Sequence, residues 1–198
     1  MRENTEPMPE AARALLMYVV FPVWVAAGFA DWACHRRTRI AQTSGLRENL
    51  LHLLLFAEMG AGIVAVVLLE INAAVLLLAL VLFAVHELTV YWDLHWSVPR
   101  REVGPFEQMV HSFMEILPLA SIGLLAALAW PQALALAGLG AEPADWSLRW
   151  KSQPLPPGML LAGLALSVVF NAVPLAQETW SCVRWRLRLR TRGSPGPT

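Results

Sequence analysis

His52, Glu58, His86, Asp93, His111 and Glu115 are the residues of this chain best placed to do chemistry, because each sits in or beside a long apolar run. Residues three, four or seven apart share a helix face. His86, Thr89 and Asp93 fall at i, i+3 and i+7, and Glu107, His111 and Glu115 at successive i+4 steps. Asp31 with His35, and Glu48 with His52, are further i, i+4 pairs. Imidazole mixed with carboxylate suits iron, manganese or zinc and argues against copper(I) or an iron–sulfur cluster, which want thiolate. The two cysteines, Cys34 and Cys182, are too few and too far apart to change that reading.

The number of such groups exceeds the three or four ligands of one tetrahedral zinc. The expectation is therefore a two-metal centre, with iron favoured and manganese or zinc as alternatives. Its ligands are expected to be His52, Glu58, His86, Asp93, His111 and Glu115. Asp31, His35, Glu48, Glu87, Glu107, Asn171 and Glu178 stand as the residues closest around them. The arrangement is similar in kind to di-iron and di-manganese helix bundles, which project Glu and His inward from several helices. It departs from them in detail, since the pairs here are Glu48-x3-His52 and His111-x3-Glu115 rather than Glu-x2-His.

The elements that position these groups are set by composition. The chain has 198 residues, 57% hydrophobic and only 15% charged, with a mean hydropathy of +0.50. Soluble domains are nearer 45–50% apolar and about 25% charged. The expected fold is an all-α integral membrane bundle of five transmembrane helices, at about 12–30, 49–69, 71–92, 107–130 and 158–179, each near the roughly 20 residues a bilayer needs. Residues 1–182 read as one transmembrane domain and 183–198 as a basic tail that binds anionic lipid. Ser44 and Pro105 are expected to start the second and fourth helices, as N-cap and first-turn proline. The segment 131–157 reads as an irregular surface cap.

Arg36, Arg37, Arg39, Arg47, Arg100, Arg101, Arg184, Arg186, Arg188, Arg190 and Arg192 all flank one side of these spans. The positive-inside rule makes that side cytoplasmic and puts the N-terminus outside. All five histidines fall toward the same side. A carboxylate near mid-membrane costs about 2.5–3.5 kcal/mol, and no Lys or Arg lies within the second to fifth spans. The expected counter-charge is thus a proton, an imidazolium or a metal ion. His95 and Glu102 read as loop residues, while His35, Glu107 and Glu178 lie close enough to the interface to be solvated.

A one-sided polar pocket with apolar outer halves suits an enzyme better than a channel. The reaction expected is oxidation of an apolar or amphiphilic small molecule, such as a lipid or quinone, by a metal centre near the cytoplasmic leaflet of a bacterial inner membrane. One alternative is a two-metal hydrolase acting on a lipid or phosphate ester, with Arg36, Arg37, Arg100 and Arg101 as a clamp. The other is a non-enzymatic metal-, proton- or haem-binding protein, with His52, His86 and His111 as candidate haem ligands. Membrane lipids are the expected partners. A net formal charge of zero removes any global argument for nucleic acid.

Overall fold

A computed structural model describes residues 7–192 of the chain; residues 1–6 and 193–198, with the last part of the expected tail, lie outside that range. Five helical stretches are long and apolar enough to cross a membrane: Glu10–Arg37, Leu46–Leu68, Ala73–Ser97, Pro105–Leu128 and Pro157–Thr191. At 1.5 Å per residue even the shortest reaches about 35 Å, more than a hydrocarbon core of about 30 Å. No strand occurs among the described residues; an isolated antiparallel bridge joins Leu69 and Trp150.

The first stretch is made of α1 (Pro7–Leu15) and α2 (Phe21–Arg37), joined by a π-turn at Leu16–Val20. The last is α7 (Pro157–Ser167) and α8 (Val173–Arg192), joined by a π-turn at Val168–Ala172. Each π-turn comes just before a proline, Pro22 or Pro174. A proline ring collides with the carbonyl four residues back and donates no hydrogen bond. Widening the preceding turn relieves both problems without ending the helix. Between these stretches lie α3 (Leu46–Leu68), α4 (Ala73–Ser97), α5 (Pro105–Leu128) and a short α6 (Trp130–Leu136).

The long helices pack as a closed ring in the order α2, α5, α4, α3, α8 and back to α2. Its exterior is apolar: Leu54, Val64, Leu88, Phe113, Ile116 and Leu161 are all exposed. Much of what it buries is polar, including Asp31, His35, Glu48, Asn49, Asp93, Glu107 and Glu178. A soluble protein has the reverse arrangement, because water and not lipid is its outer solvent.

At one end, α3 and α4 form a tight hairpin. Asn72 caps α4 by accepting from the Val75 amide at 3.1 Å, and its amide donates to the Ser147 carbonyl at 2.7 Å. The segment after α6 folds over this hairpin, with Lys151 Nζ donating to the Val66 carbonyl at the end of α3. Burial holds the Lys151 ammonium below its ordinary range. Ser152 donates twice to Glu70, which keeps that carboxyl below its ordinary range. The cap is thus irregular apart from α6, which sequence reading did not anticipate.

At the other, arginine-rich end, the helices outrun the apolar spans. α2 continues to Arg37, α4 to Ser97 and α8 to Arg192, while α3 and α5 begin at Leu46 and Pro105. The basic segment 183–192 is helical and continuous with α8. The reason is that backbone hydrogen bonding does not stop where side chains become polar, and Arg, Glu and Gln are good helix formers. Pro105 occupies the first turn of α5 as expected. Ser44 does not cap α3: Gly45 stands at the N-cap position at φ 74°, and no side chain caps the helix. Ser44 instead offers its carbonyl to Trp96 Nε1 at 3.2 Å. His95 lies in the last turn of α4, stacked on Tyr91, and not in a loop.

Candidate metal centre

Every helix of the ring sends a polar side chain into its arginine-rich end. α2 supplies Asp31 and His35, α3 supplies Glu48, Asn49 and His52, α4 supplies Asp93, α5 supplies Glu107 and His111, and α8 supplies Glu178. The i, i+4 pairs Asp31/His35, Glu48/His52 and Glu107/His111 each put two groups on one face, so few turns carry many ligands.

Three sets of candidate ligand atoms gather here, the third being His35, His52 and Glu178. In the first, atoms of Asp31, His35, Glu107 and His111 all lie within 4.8 Å of one another. His111 Nε2 is 2.8 Å from Asp31 Oδ1, and His35 Nε2 is 3.4 Å from Asp31 Oδ2 and 3.5 Å from Glu107 Oε1. In the second, Glu48, His52 and Asp93 meet within the same limit. His52 Nε2 is 3.5 Å from Asp93 Oδ2 and 3.7 Å from Glu48 Oε1. The two imidazoles His35 and His52 stack with ring centroids 4.4 Å apart and planes 10° from parallel.

Glu178 and Arg101 tie the first two sets together. Glu178 accepts from His35 Nδ1 at 3.0 Å, from Asn49 Nδ2 at 2.9 Å and from His52 Nδ1 at 3.2 Å. Arg101 reaches in from the loop between α4 and α5. Its Nε and Nη2 donate to Glu48 Oε1 at 2.8 and 2.6 Å, and its Nη1 pairs with Glu107 Oε1 at 2.6 Å. Burial alone would lower the proton affinity of this guanidinium, but Glu48 and Glu107 outweigh it and hold Arg101 above its ordinary range. Six buried atoms of these residues lack a hydrogen-bond partner: His35 Nε2, Glu48 Oε2, Asn49 Oδ1, Asp93 Oδ1, and Arg101 Nη1 with Glu107 Oε1, which meet only as an ion pair. Native interiors rarely leave such groups unsatisfied.

The six residues expected to ligate together divide into three places. His52, Asp93 and His111 join the cluster. Glu58 and His86 form a deeper pair between α3 and α4, with Glu58 Oε2 3.5 Å from His86 Nδ1 and Glu58 Oε1 2.8 Å from Thr89 Oγ1. Glu115 lies apart from both, with Glu87 as its electrostatic neighbour. Asn171 also stands elsewhere, donating to the Val25 carbonyl at 3.2 Å, against Gly28, where a larger residue would strike its amide.

Asp31, His35, Glu48, Glu107 and Glu178, expected at the edge, are central. His35, Glu107 and Glu178 are 2%, 3% and 5% exposed and so are not solvated interfacial groups. Sequence reading placed Arg101 only in a headgroup clamp, not inside the cluster, and missed Asn49. A loop arginine folds back into the bundle and pairs with Glu48 and Glu107. The one available signal was position: Arg101 follows α4 by only four residues, within reach of its end.

The deeper pair leads to a separate prediction. The single hydroxyl hydrogen of Thr89 faces two acceptors, Glu58 Oε1 at 2.8 Å and the Val85 carbonyl at 3.1 Å. A glutamine at position 58 would add a donor toward Thr89 Oγ1 and leave that hydrogen for Val85. It would also remove an acid from the apolar interior. Glu58→Gln is therefore expected to melt in detergent at or above the wild-type temperature, with unchanged metal content. A lowered metal content would place Glu58 among the ligands after all.

Comparison of the chain with protein-family models, with curated proteins and with solved structures finds no match.

Proposed function

We propose that the chain is a membrane-embedded, metal-dependent oxidoreductase whose paired metal centre, with iron the favoured ion, is held by Asp31, His35, Glu107 and His111 on one side and by Glu48, His52 and Asp93 on the other. The observation that carries this reading is the charge of the cluster. Asp31, Glu48, Asp93, Glu107 and Glu178 are five buried acids, and Arg101 is the one guanidinium among them. With the acids ionised and the imidazoles neutral, four negative charges are left over, which two divalent cations would cancel; protonation of His35, His52 and His111 would cancel three of them. Buried charge without a partner costs several kcal/mol per ion. When bound, the ions would supply one-electron chemistry; the chain's own residues fix their spacing and exclude water.

Oxidation is favoured over hydrolysis by where the arginines go. Arg101 is held between Glu48 and Glu107. The Arg36 guanidinium lies 5.1 Å from the centre of the Trp32 ring, and Arg100 lies 3.4 Å from that of Trp96. A phosphate clamp would need such groups turned toward the ligands. The cluster is not fully closed: the His111 and Asp31 side chains are 18% and 12% exposed, which gives a substrate one edge to approach.

Metal analysis of detergent-purified protein, with an optical spectrum, tests the reading. It should find about two iron ions per chain, as in other carboxylate-bridged bundles. Protein that stays stable and active after exhaustive chelation, with no bound iron, manganese or zinc, would overturn it.

We further propose a bacterial inner membrane, with the arginine-rich end in the cytoplasm and the N-terminus outside, following the positive-inside rule. Reporter fusions at Gly193 and Gly140 should then give cytoplasmic and external signals respectively. An external signal at Gly193 would reverse the orientation.

A further inference from the structure

We infer that Glu178 is a positioning residue shared by two unequal cation sites, turning one imidazole toward each. This rests on the metal-centre reading and assigns to each ion its own histidine. Glu178 Oε2 faces His35 Nδ1 at 3.0 Å, while Oε1 faces both Asn49 Nδ2 at 2.9 Å and His52 Nδ1 at 3.2 Å. An ionised carboxylate can only accept, so both imidazoles carry a hydrogen on Nδ1. In the neutral ring the lone pair is then on Nε2.

These two nitrogens aim at different carboxylates. His35 Nε2 meets Asp31 and Glu107 at 3.4 and 3.5 Å. His52 Nε2 meets Asp93 and Glu48 at 3.5 and 3.7 Å. A lone pair facing carboxylate oxygens is repulsive; a proton on that nitrogen or a metal cation between the groups removes the repulsion, and here the cation is assigned. Stacking at 4.4 Å keeps the rings side by side, so two such cations would be neighbours. Glu178 already accepts from three donors, and this engagement suits a group that holds ligands. Carboxylates behind metal-bound histidines fix the tautomer and ring orientation in this way. The sites are unequal because one set has two histidines and two acids, and the other one histidine and two acids.

Glu178→Gln separates the two sites. A glutamine has one accepting oxygen, and it is best left where Asn49 and His52 converge. The amide nitrogen then faces His35 Nδ1, which must accept and carry its hydrogen on Nε2. That removes His35 as a ligand while His52 is still held. The test is a Co2+ titration of the metal-free, detergent-purified full chain against a competing chelator, with the melting temperature of the metal-free protein as a control.

Wild type should show two binding events. In Glu178→Gln one event should weaken about 10–100-fold and the other should not move. Adding His111→Ala to that variant should leave the unmoved event in place, because His111 belongs to the His35 set. Two unchanged events, or two events weakened alike, would overturn the inference. If Glu178→Gln does not fold, His35→Ala and His52→Ala take its place and must weaken different events; weakening the same event would overturn it. A wild-type chain that binds no Co2+ would fail earlier, refuting the metal-centre reading and this inference with it.

Discussion

If the proposed metal centre is right, a His111→Ala protein is expected to keep its fold but to retain about one metal ion per chain where the wild type should hold about two. His111 reaches Asp31 at 2.8 Å from the open edge of the cluster, and its side chain is 18% exposed. Truncating it opens a void at the partly exposed edge of the cluster and not in its fully buried centre. It removes one of four ligands in the set with Asp31, His35 and Glu107. Loss of a directly bound ligand should exceed the roughly 10–100-fold expected for an outer partner. His95→Ala is the matched control, because His95 is exposed and stacks on Tyr91 away from the cluster. Equal metal content in the two variants would remove His111 from the ligand set.

Arg101→Met should destabilise the protein more than any surface arginine substitution, by about 3–5 kcal/mol. The Arg101 side chain is 1% exposed and bridges Glu48 on α3 to Glu107 on α5. Methionine fills much of the same volume but leaves two buried carboxylates facing each other without their cation. Breaking a buried ion pair from one side is expensive for that reason, even where the intact pair contributes little. Arg101→Lys should fall between the two, since a point charge cannot span both acids with a planar fork. Arg100→Met, which removes a guanidinium lying over Trp96, should change stability by less than about 1 kcal/mol. The comparison is a set of thermal melts of metal-free protein in detergent. Arg101→Met melting with the wild type would mean that the two acids do not depend on the guanidinium.

Much of this architecture is legible in the sequence because its causes are local. Apolar runs near 20 residues long specify five membrane-length helices, and i, i+4 spacing puts Asp31 with His35, Glu48 with His52 and Glu107 with His111 on common faces. The same patterns bring chemistry to one end of the bundle and leave the other halves apolar.

What spacing cannot state is which face meets which. His86 shares a face with Asp93, yet it pairs with Glu58 one layer deeper. Glu115 shares a face with His111 and still falls outside the cluster. Asp31, His35, Glu107 and Glu178, beyond or near the ends of the apolar runs, looked peripheral and are central. Two physical facts account for the difference. The helices continue past the apolar boundary, so groups expected at the interface remain enclosed by neighbours. And the order of helices around the ring, with α5 between α2 and α4 and with α8 between α3 and α2, decides which carboxylate each imidazole meets. A loop arginine then folds in to a place fixed only by packing. Periodicity along one helix determines a direction; the partner found in that direction belongs to the tertiary structure.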